Sequence, residues 1–276
     1  MRHAVAARAF FLFCLSGISA YSATSNTLVL NSQKDLIALH YDHAADRDDG
    51  DSAAADRTIL ESLFGAGWIK AHVLPVSGAY GINGPTFRPE SDAVMDAAWG
   101  KGGWLAAHAD KEGALAKMTD RWGRALQNGG DVWVKEGGQS DLTAEVVKRL
   151  RAALPQVDPV KRIHVVQHSK WNESHTTPEA LAYTKDNTDY IRISDANRYL
   201  SSSKGNEEFA RAATGHPVFG PVWKAAFAYF DPAKKLDFSD TGELMRILGL
   251  GEIGLEEFRS RFLASPPAPA SAQPGV

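Results

Sequence analysis

The sequence predicts an α/β fold: a single-domain, Rossmann-like open sheet, mostly parallel and flanked by helices. Three observations predict it. Short apolar runs of strand length alternate with longer segments of helical periodicity. Such alternation implies right-handed βαβ units. The first four runs end in polar, Gly-rich or acidic loops, and in a parallel sheet those loops converge on one edge, where ligands bind.

In chain order, Leu36 to Tyr41 is an apolar run suited to a buried strand, and Ser52 to Phe64 follows as a helix with Ala55, Ile59, Leu60 and Leu63 or Phe64 on its apolar side. Ile69 to Val76 reads as a second strand, leaving through the Gly-rich loop Ser77 to Pro85. Pro89 to Trp99 and Gly113 to Gln127 read as helices, the latter aligning Leu115, Met118, Trp122 and Leu126. Asp131 to Glu136 is a third strand with the exit loop Gly137 to Asp141. A helix capped by Asp141 then runs to Leu154 and stops at Pro155. Arg162 to Gln167 is a fourth strand, His168 to His175 a polar loop, and Thr177-Pro178 opens another helix. Asp189 to Ile193 is a fifth strand. Beyond Asp195, helices at Glu207 to Ala213, Pro221 to Tyr229, Gly242 to Leu248 and Leu255 to Leu263 are expected to lie over the sheet.

The loop after the first strand concentrates charge: Asp42, Asp46, Asp48, Asp49 and Asp51 are five carboxylates within ten residues. Carboxylates at this density raise one another's pKa, and a divalent cation relieves the repulsion. Ca²⁺ suits such a loop because it takes six to eight oxygen ligands in flexible geometry. The bland alternative is a solvated loop whose acids favour a helix N-terminus, and for Asp51 alone it is preferred.

At 276 residues the chain can bury a full core, and 44% apolar with 23% charged residues is ordinary for a globular protein. The net charge of −3 argues against a nucleic-acid binder or a protein held on an anionic membrane surface. Residues 1–23 match a secretory signal: Arg2 and Arg8, an apolar centre from Ala9 to Ile18 too short to span a bilayer, then small residues to Ala23. The expectation is an exported protein, periplasmic or secreted, without stable membrane insertion. The sole cysteine, Cys14, falls inside that signal, so the processed chain would carry neither a disulfide nor a thiolate site. The domain is expected over residues 30–264, with the Pro/Ala-rich stretch 265–276 disordered. The oligomeric state is left open, a homo-oligomer included.

Several stretches together resemble the nucleoside hydrolase-like family, in particular a secreted branch described as cellulose-binding. That family opens with a strand, then Asp-Pro-Gly, a spacer and Asp-Asp. Here the motif stands as Asp42-His43-Ala44-Ala45-Asp46-Arg47-Asp48-Asp49, with the branch's longer spacer and with His43-Ala44 in place of Pro-Gly. Asp131 to Leu142 is similar to the family's central strand and its Gly-Gly turn. Trp171-Asn172 with Pro178-Glu179-Ala180 is similar to its substrate loop, and Asp237 to Leu250 to its late acidic segment.

The resemblance implies a Ca²⁺ site at the strand ends and cleavage of a glycosidic bond, N-glycosidic above all, in a nucleoside or other small carbohydrate substrate. Asp49 would chelate the ion, Asp42 would bind it and hold the attacking water, and the Ser140 carbonyl and Asp240 would complete the shell. Asp48 would bind sugar hydroxyls, with Asn172 and Asn83 orienting the ring. Hydrolysis of this kind develops oxocarbenium character that carboxylates stabilise. Its leaving group needs a proton, for which His43, His168 and His175 are candidates. Each residue also has a structural role open to it: His43 packing on a helix start, Trp171 a buried aromatic rather than a stacking platform, and Asp240 a helix cap. A non-catalytic carbohydrate-binding or degenerate domain on the same scaffold is the rival expectation, favoured by the missing Pro-Gly.

Overall fold

The computed structural model describes residues 29–43 and 47–264. The expected signal, Ala44 to Asp46 and the Pro/Ala-rich stretch from Ser265 lie outside the described residues. The strands are β1 (Leu36–Tyr41), β2 (Val73–Ser77), β3 (Ala79–Gly81), β4 (Gly84–Thr86), β5 (Leu105–Ala106), β6 (Val132–Gly137), β7 (Ile163–Gln167), β8 (Asp189–Arg192), β9 (Ser201–Ser202) and β10 (Leu236–Asp237). The helices are α1 (Asp48–His72), α2 (Asp92–Trp99), α3 (Lys111–Gln127), α4 (Asp141–Ala153), α5 (Pro159–Arg162), α6 (Lys170–His175), α7 (Pro178–Asn187), α8 (Asn197–Leu200), α9 (Glu207–Gly215), α10 (Gly220–Tyr229), α11 (Thr241–Ile247) and α12 (Leu255–Phe258).

The central sheet has the order β5-β2-β1-β6-β7-β8, and every pairing in it is parallel. Counted along the chain, its six strands lie in the order 3-2-1-4-5-6, that of the Rossmann-like open α/β fold. The order reverses between β1 and β6, so a crevice opens at their carboxyl ends.

Strand alternation divides the core. Ile37, Leu39, Tyr41 and Trp133 face α1, α2 and the helices from α9 onward, where Phe209, Trp223, Phe238 and Phe258 pack together. Leu36, Ala38, Val132 and Val134 face α3 and α4, against Leu115, Met118, Trp122 and Val147. Among the described residues no helix is long and apolar enough to cross a membrane.

Several boundaries differ from expectation, each for a physical reason. Ile69 to His72 belong to α1 and not to the second strand. Gly65, at φ 80°, breaks the helix, which resumes because Trp68 stacks on Phe64 at 4.2 Å and on His72 at 4.8 Å. The Gly-rich loop after β2 folds into the β3–β4 hairpin, and β5 adds a two-residue edge strand. The polar stretch after β7 forms α6, capped by the Ser169 hydroxyl accepting from Asn172 N–H at 3.2 Å. Ser140 stands at the N-cap of α4 in place of Asp141, whose carboxylate accepts the Thr177 hydroxyl at 2.6 Å.

Candidate active site

β1 delivers Asp42 one residue past its last paired position, and the Asp42 N–H donates to Gly137 O at 3.0 Å. The chain then turns at His43, a left-handed residue at φ 52° whose N–H donates to Asp49 Oδ2 at 2.5 Å. Asp48 and Asp49 begin α1, where the helix dipole favours negative charge. Gly137 ends β6 and Gly138 follows it, and neither has a positive φ. Their smallness serves close approach: a Cβ at Gly137 would lie 2.9 Å from Lys135 Nζ, and one at Gly138 2.8 Å from Asp42 Cβ. Gln139 then donates its amide to Asp42 Oδ2 at 2.7 Å. His168 follows the last residue of β7, and Asp240 stands at the N-cap of α11 across the crevice.

These elements enclose a cavity of about 230 Å³ lined by Asp42, Asp48, His168, Trp171, Asn172 and Asp240, among others. Carboxylate oxygens of Asp48, Asp49 and Asp240 all lie within 4.8 Å of one another. Asp49 is almost fully buried, and its Oδ1 has no hydrogen-bond partner among the described residues. Trp171 is 38% exposed and stacks on His175 at 3.8 Å, presenting an aromatic surface at the rim.

Electrostatics divides the acids. Burial, then the charges of Asp240 and Asp42, push the Asp49 carboxyl well above its ordinary range. Burial also acts to raise Asp240. The hydrogen bond from His168 Nε2 at 2.8 Å, with the charges of Lys135 and His168, outweighs it and holds Asp240 below the usual carboxylate range. Asp240 is therefore the ionised member of the pair and Asp49 the one that holds a proton or needs a cation. Burial lowers His168, but the Asp240 hydrogen bond and the charges of Glu243, Asp240 and Asp195 leave it raised overall. Burial and the Asp240 charge push Glu243, whose Oε1 accepts the His168 N–H at 2.9 Å, up to about 8.

Beneath the acids lies Lys135, fully buried, with Nζ 3.4 Å from Asp56 Oδ2 and 4.0 Å from the centre of the Tyr41 ring. Burial disfavours its charge, yet Asp56, Asp240, Asp49 and Glu243 more than offset this and raise its pKa. The sequence signal for this group is a Lys-Glu pair ending the otherwise apolar Val132-Trp133-Val134 run. Residues 135 and 136 sit in a central strand with both faces covered, so both charges must find partners. Glu136, on the opposite face, accepts from Thr143 Oγ1 at 2.9 Å and lies 2.9 Å from His40 Nδ1.

The structure brings together Asp42, Asp48, Asp49, His168, Trp171, Asn172 and Asp240, and separates four residues expected with them. His43 lies outside the cavity, its buried ring between Tyr41 and the edge-on Tyr229 ring, 5.7 Å away. Burial, with the charges of Lys135 and His108, takes its pKa down to about 3, so it is neutral and no proton donor. The Ser140 carbonyl accepts the first hydrogen bond of α4 from Ala144 N–H at 2.9 Å, and Ser140 does not line the cavity. Asn83 is exposed at the tip of the β3–β4 hairpin, outside the lining. His175, tied by Nδ1 to Trp171 O at 2.8 Å, also lies outside it, leaving His168 as the one proposed proton donor at the cavity. Asp48, expected on sugar hydroxyls, instead joins Asp49 and Asp240 in the tight trio, while Asp42 stands beside it.

A divalent cation fits this donor set. The ligands are hard oxygens, one of them an orphaned buried atom. Two oxygens each about 2.3–2.6 Å from one ion are separated by at most about 5 Å, and the trio meets that limit. Comparison with known protein families, with curated proteins and with solved structures finds no match for this chain.

Proposed function

We propose that this chain is an exported, divalent-metal-dependent hydrolase of glycosidic bonds, N-glycosidic above all, acting on a nucleoside or other small glycoside. The observation that carries the reading is the carboxylate trio Asp48, Asp49 and Asp240 beside Asp42, at the carboxyl ends of the two strands where the sheet order reverses. Asp48, Asp49 and Asp240 would hold the ion, and Ca²⁺ is the one the all-oxygen set suits. Bound there, it would lower the pKa of a water and offset the crowded negative charge.

The chain's own residues do the rest. Asp42, oriented by Gln139, takes the water's proton as general base. The carboxylates stabilise positive charge developing on the sugar. Asn172 and Trp171 flank the ring, and His168, its charged form favoured by Asp240, gives a proton to the leaving group. A volume of about 230 Å³ admits one sugar ring, with the rest of the ligand at the open rim. It is smaller than the roughly 300–1,000 Å³ of drug-sized pockets.

The test is calorimetry with Ca²⁺, followed by a panel of nucleosides and oligosaccharides assayed for released base or reducing sugar. Asp49→Ala is expected to abolish both metal binding and turnover. Absence of divalent-ion binding at millimolar Ca²⁺ would remove the metal from the proposal.

Lys135 favours a second reading. Its buried ammonium supplies positive charge to the acids without any ion, which suits a domain that binds carbohydrate and does not cleave it. Ligand binding without turnover across the panel, unaffected by chelator, is the outcome that separates this reading from the first.

A further inference from the structure

The largest cavity among those described lies elsewhere, along the edge of the sheet where β5 is too short to cover β2. It is a cleft of about 740 Å³ between α1, α3 and the segment joining α2 to β5, and it shares no lining residue with the carboxylate cavity. Its wall is cationic. Lys70, Lys101 and Lys117 are exposed and have no carboxylate partner among the described residues. Arg121 is tethered only through Nη2, to the Ala71 carbonyl at 3.0 Å. The one acid of the lining, Asp120, is already paired with Arg124 at 2.8 Å.

A second observation points to a ligand. The Trp99 indole lines the cleft, is only 8% exposed, and its Nε1–H has no acceptor among the described residues. A buried donor in that state carries a desolvation penalty that no partner offsets, and an acceptor group entering the cleft would remove it. Beside it Trp104 is held by Nε1–H donating to Asp96 at 3.0 Å. The floor includes Pro75, which has no N–H to offer an added strand, so the edge is poorly suited to a docking peptide.

We propose that this cleft binds an acidic oligosaccharide, its carboxylate or sulfate groups held by Lys70, Lys101, Lys117 and Arg121 and a ring oxygen or hydroxyl accepting from Trp99 Nε1. Indole faces carry negative quadrupole density and attract the C–H face of a sugar ring, whereas a bare polyanion has nothing to place there. Three lysines with no carboxylate partner among the described residues, and an Arg121 held only by one backbone carbonyl, select anionic over neutral glycans. The site stands independently of the reaction proposed above.

The experiment is calorimetry on the purified chain at low and high salt. The probes are an oligogalacturonate, a sulfated oligosaccharide, a neutral oligosaccharide of equal length, polyphosphate, and single-stranded DNA of matching charge. The oligogalacturonate and sulfated arms separate the two sources of anionic group. At least one of them is expected to bind, more weakly at high salt, while the neutral glycan does not. The double variant K101Q/K117Q is expected to weaken that binding by about tenfold and W99F by about threefold. The exposed lysines leave the fold intact, which an unchanged unfolding midpoint checks. No binding at low salt, binding unchanged in K101Q/K117Q, or binding of the neutral glycan, polyphosphate or DNA as tight as that of the acidic sugars would each overturn the proposal.

Discussion

Asp35 and Asp49 sit at opposite ends of the parallel sheet and are almost equally buried, 3% and 1% exposed. Asp35, at the amino end, accepts from Asn31 N at 2.7 Å, Asp131 N at 2.8 Å and Trp133 Nε1 at 3.0 Å. Both oxygens are satisfied, and the carboxylate ties β1 to β6. Asp49, at the carboxyl end, accepts one close backbone N–H, leaves Oδ1 unpaired and faces Asp240 and Asp42. Burial is common to both, so burial does not mark a site. An unmet demand for positive charge does, and it arises where loops after β1 and β6 meet the start of α11.

The strongest way to probe the carboxyl end is to remove its internal cation. Lys135→Met is expected to cost about 3–5 kcal/mol, because it leaves Asp56 and its neighbours as uncompensated buried charge. Denaturant unfolding checks this, and a loss below about 1 kcal/mol would mean that the ammonium does not balance the acids. At the amino end, Asp35→Ala strands donors that nothing else reaches and is expected to lower stability by about 3 kcal/mol, with no effect on Ca²⁺ binding. A change in metal affinity in that variant would dissolve the contrast between the two ends.

Asp49→Asn should act with the opposite sign. In chelator it relieves like-charge crowding while keeping an acceptor for His43 N–H, so the unfolding midpoint is expected to rise. Wild type should gain about 2.7 kcal/mol from Ca²⁺ at a hundred times its dissociation constant, and the variant should gain nothing. Equal stabilisation of both proteins by Ca²⁺ would place the ion elsewhere.

The gentlest probe is pH. Glu243 has its folded pKa raised from 4.5 to about 8, so the folded state binds its proton more tightly than the unfolded state. Its contribution to stability is complete below pH 4.5 and is lost as pH climbs through about 8. His168, also raised, acts in the same direction above its ordinary range. In chelator, stability is therefore expected to fall between pH 5 and 8, with a limiting slope on the order of 1.4 kcal/mol per pH unit for one such group. Glu243→Gln should flatten that fall, and an unchanged profile would mean that Glu243 is ionised throughout.

Much of this architecture was legible residue by residue. Leu36 to Tyr41 reads as a strand because it is a short, bounded apolar run, and α3 reads as a helix because Leu115, Met118, Trp122 and Leu126 repeat at its period. Asp42, Asp48 and Asp49 read as a cluster because they share one loop. Ile69 to His72 look like a strand because local apolarity does not separate a buried helix end from a strand. There an aromatic ladder carried the helix on. The β3–β4 hairpin lacked alternating apolar residues to mark it. Gln139 and Glu243 carry no signal of their own along the chain, because each becomes chemically special only through partners from other segments.

The sequence by itself determined the alternation of strands and helices, the acidic loop after β1 and the polar ends of the following strands, since these depend on neighbours along the chain. Only the tertiary structure decided that Asp48, rather than the Ser140 carbonyl, joins Asp49 and Asp240, that His43 turns inward to neutrality, and that Lys135 lies under the acids. Those outcomes depend on strand order and on which side chains share an enclosed, poorly solvated space, where one charge sets the protonation of the next.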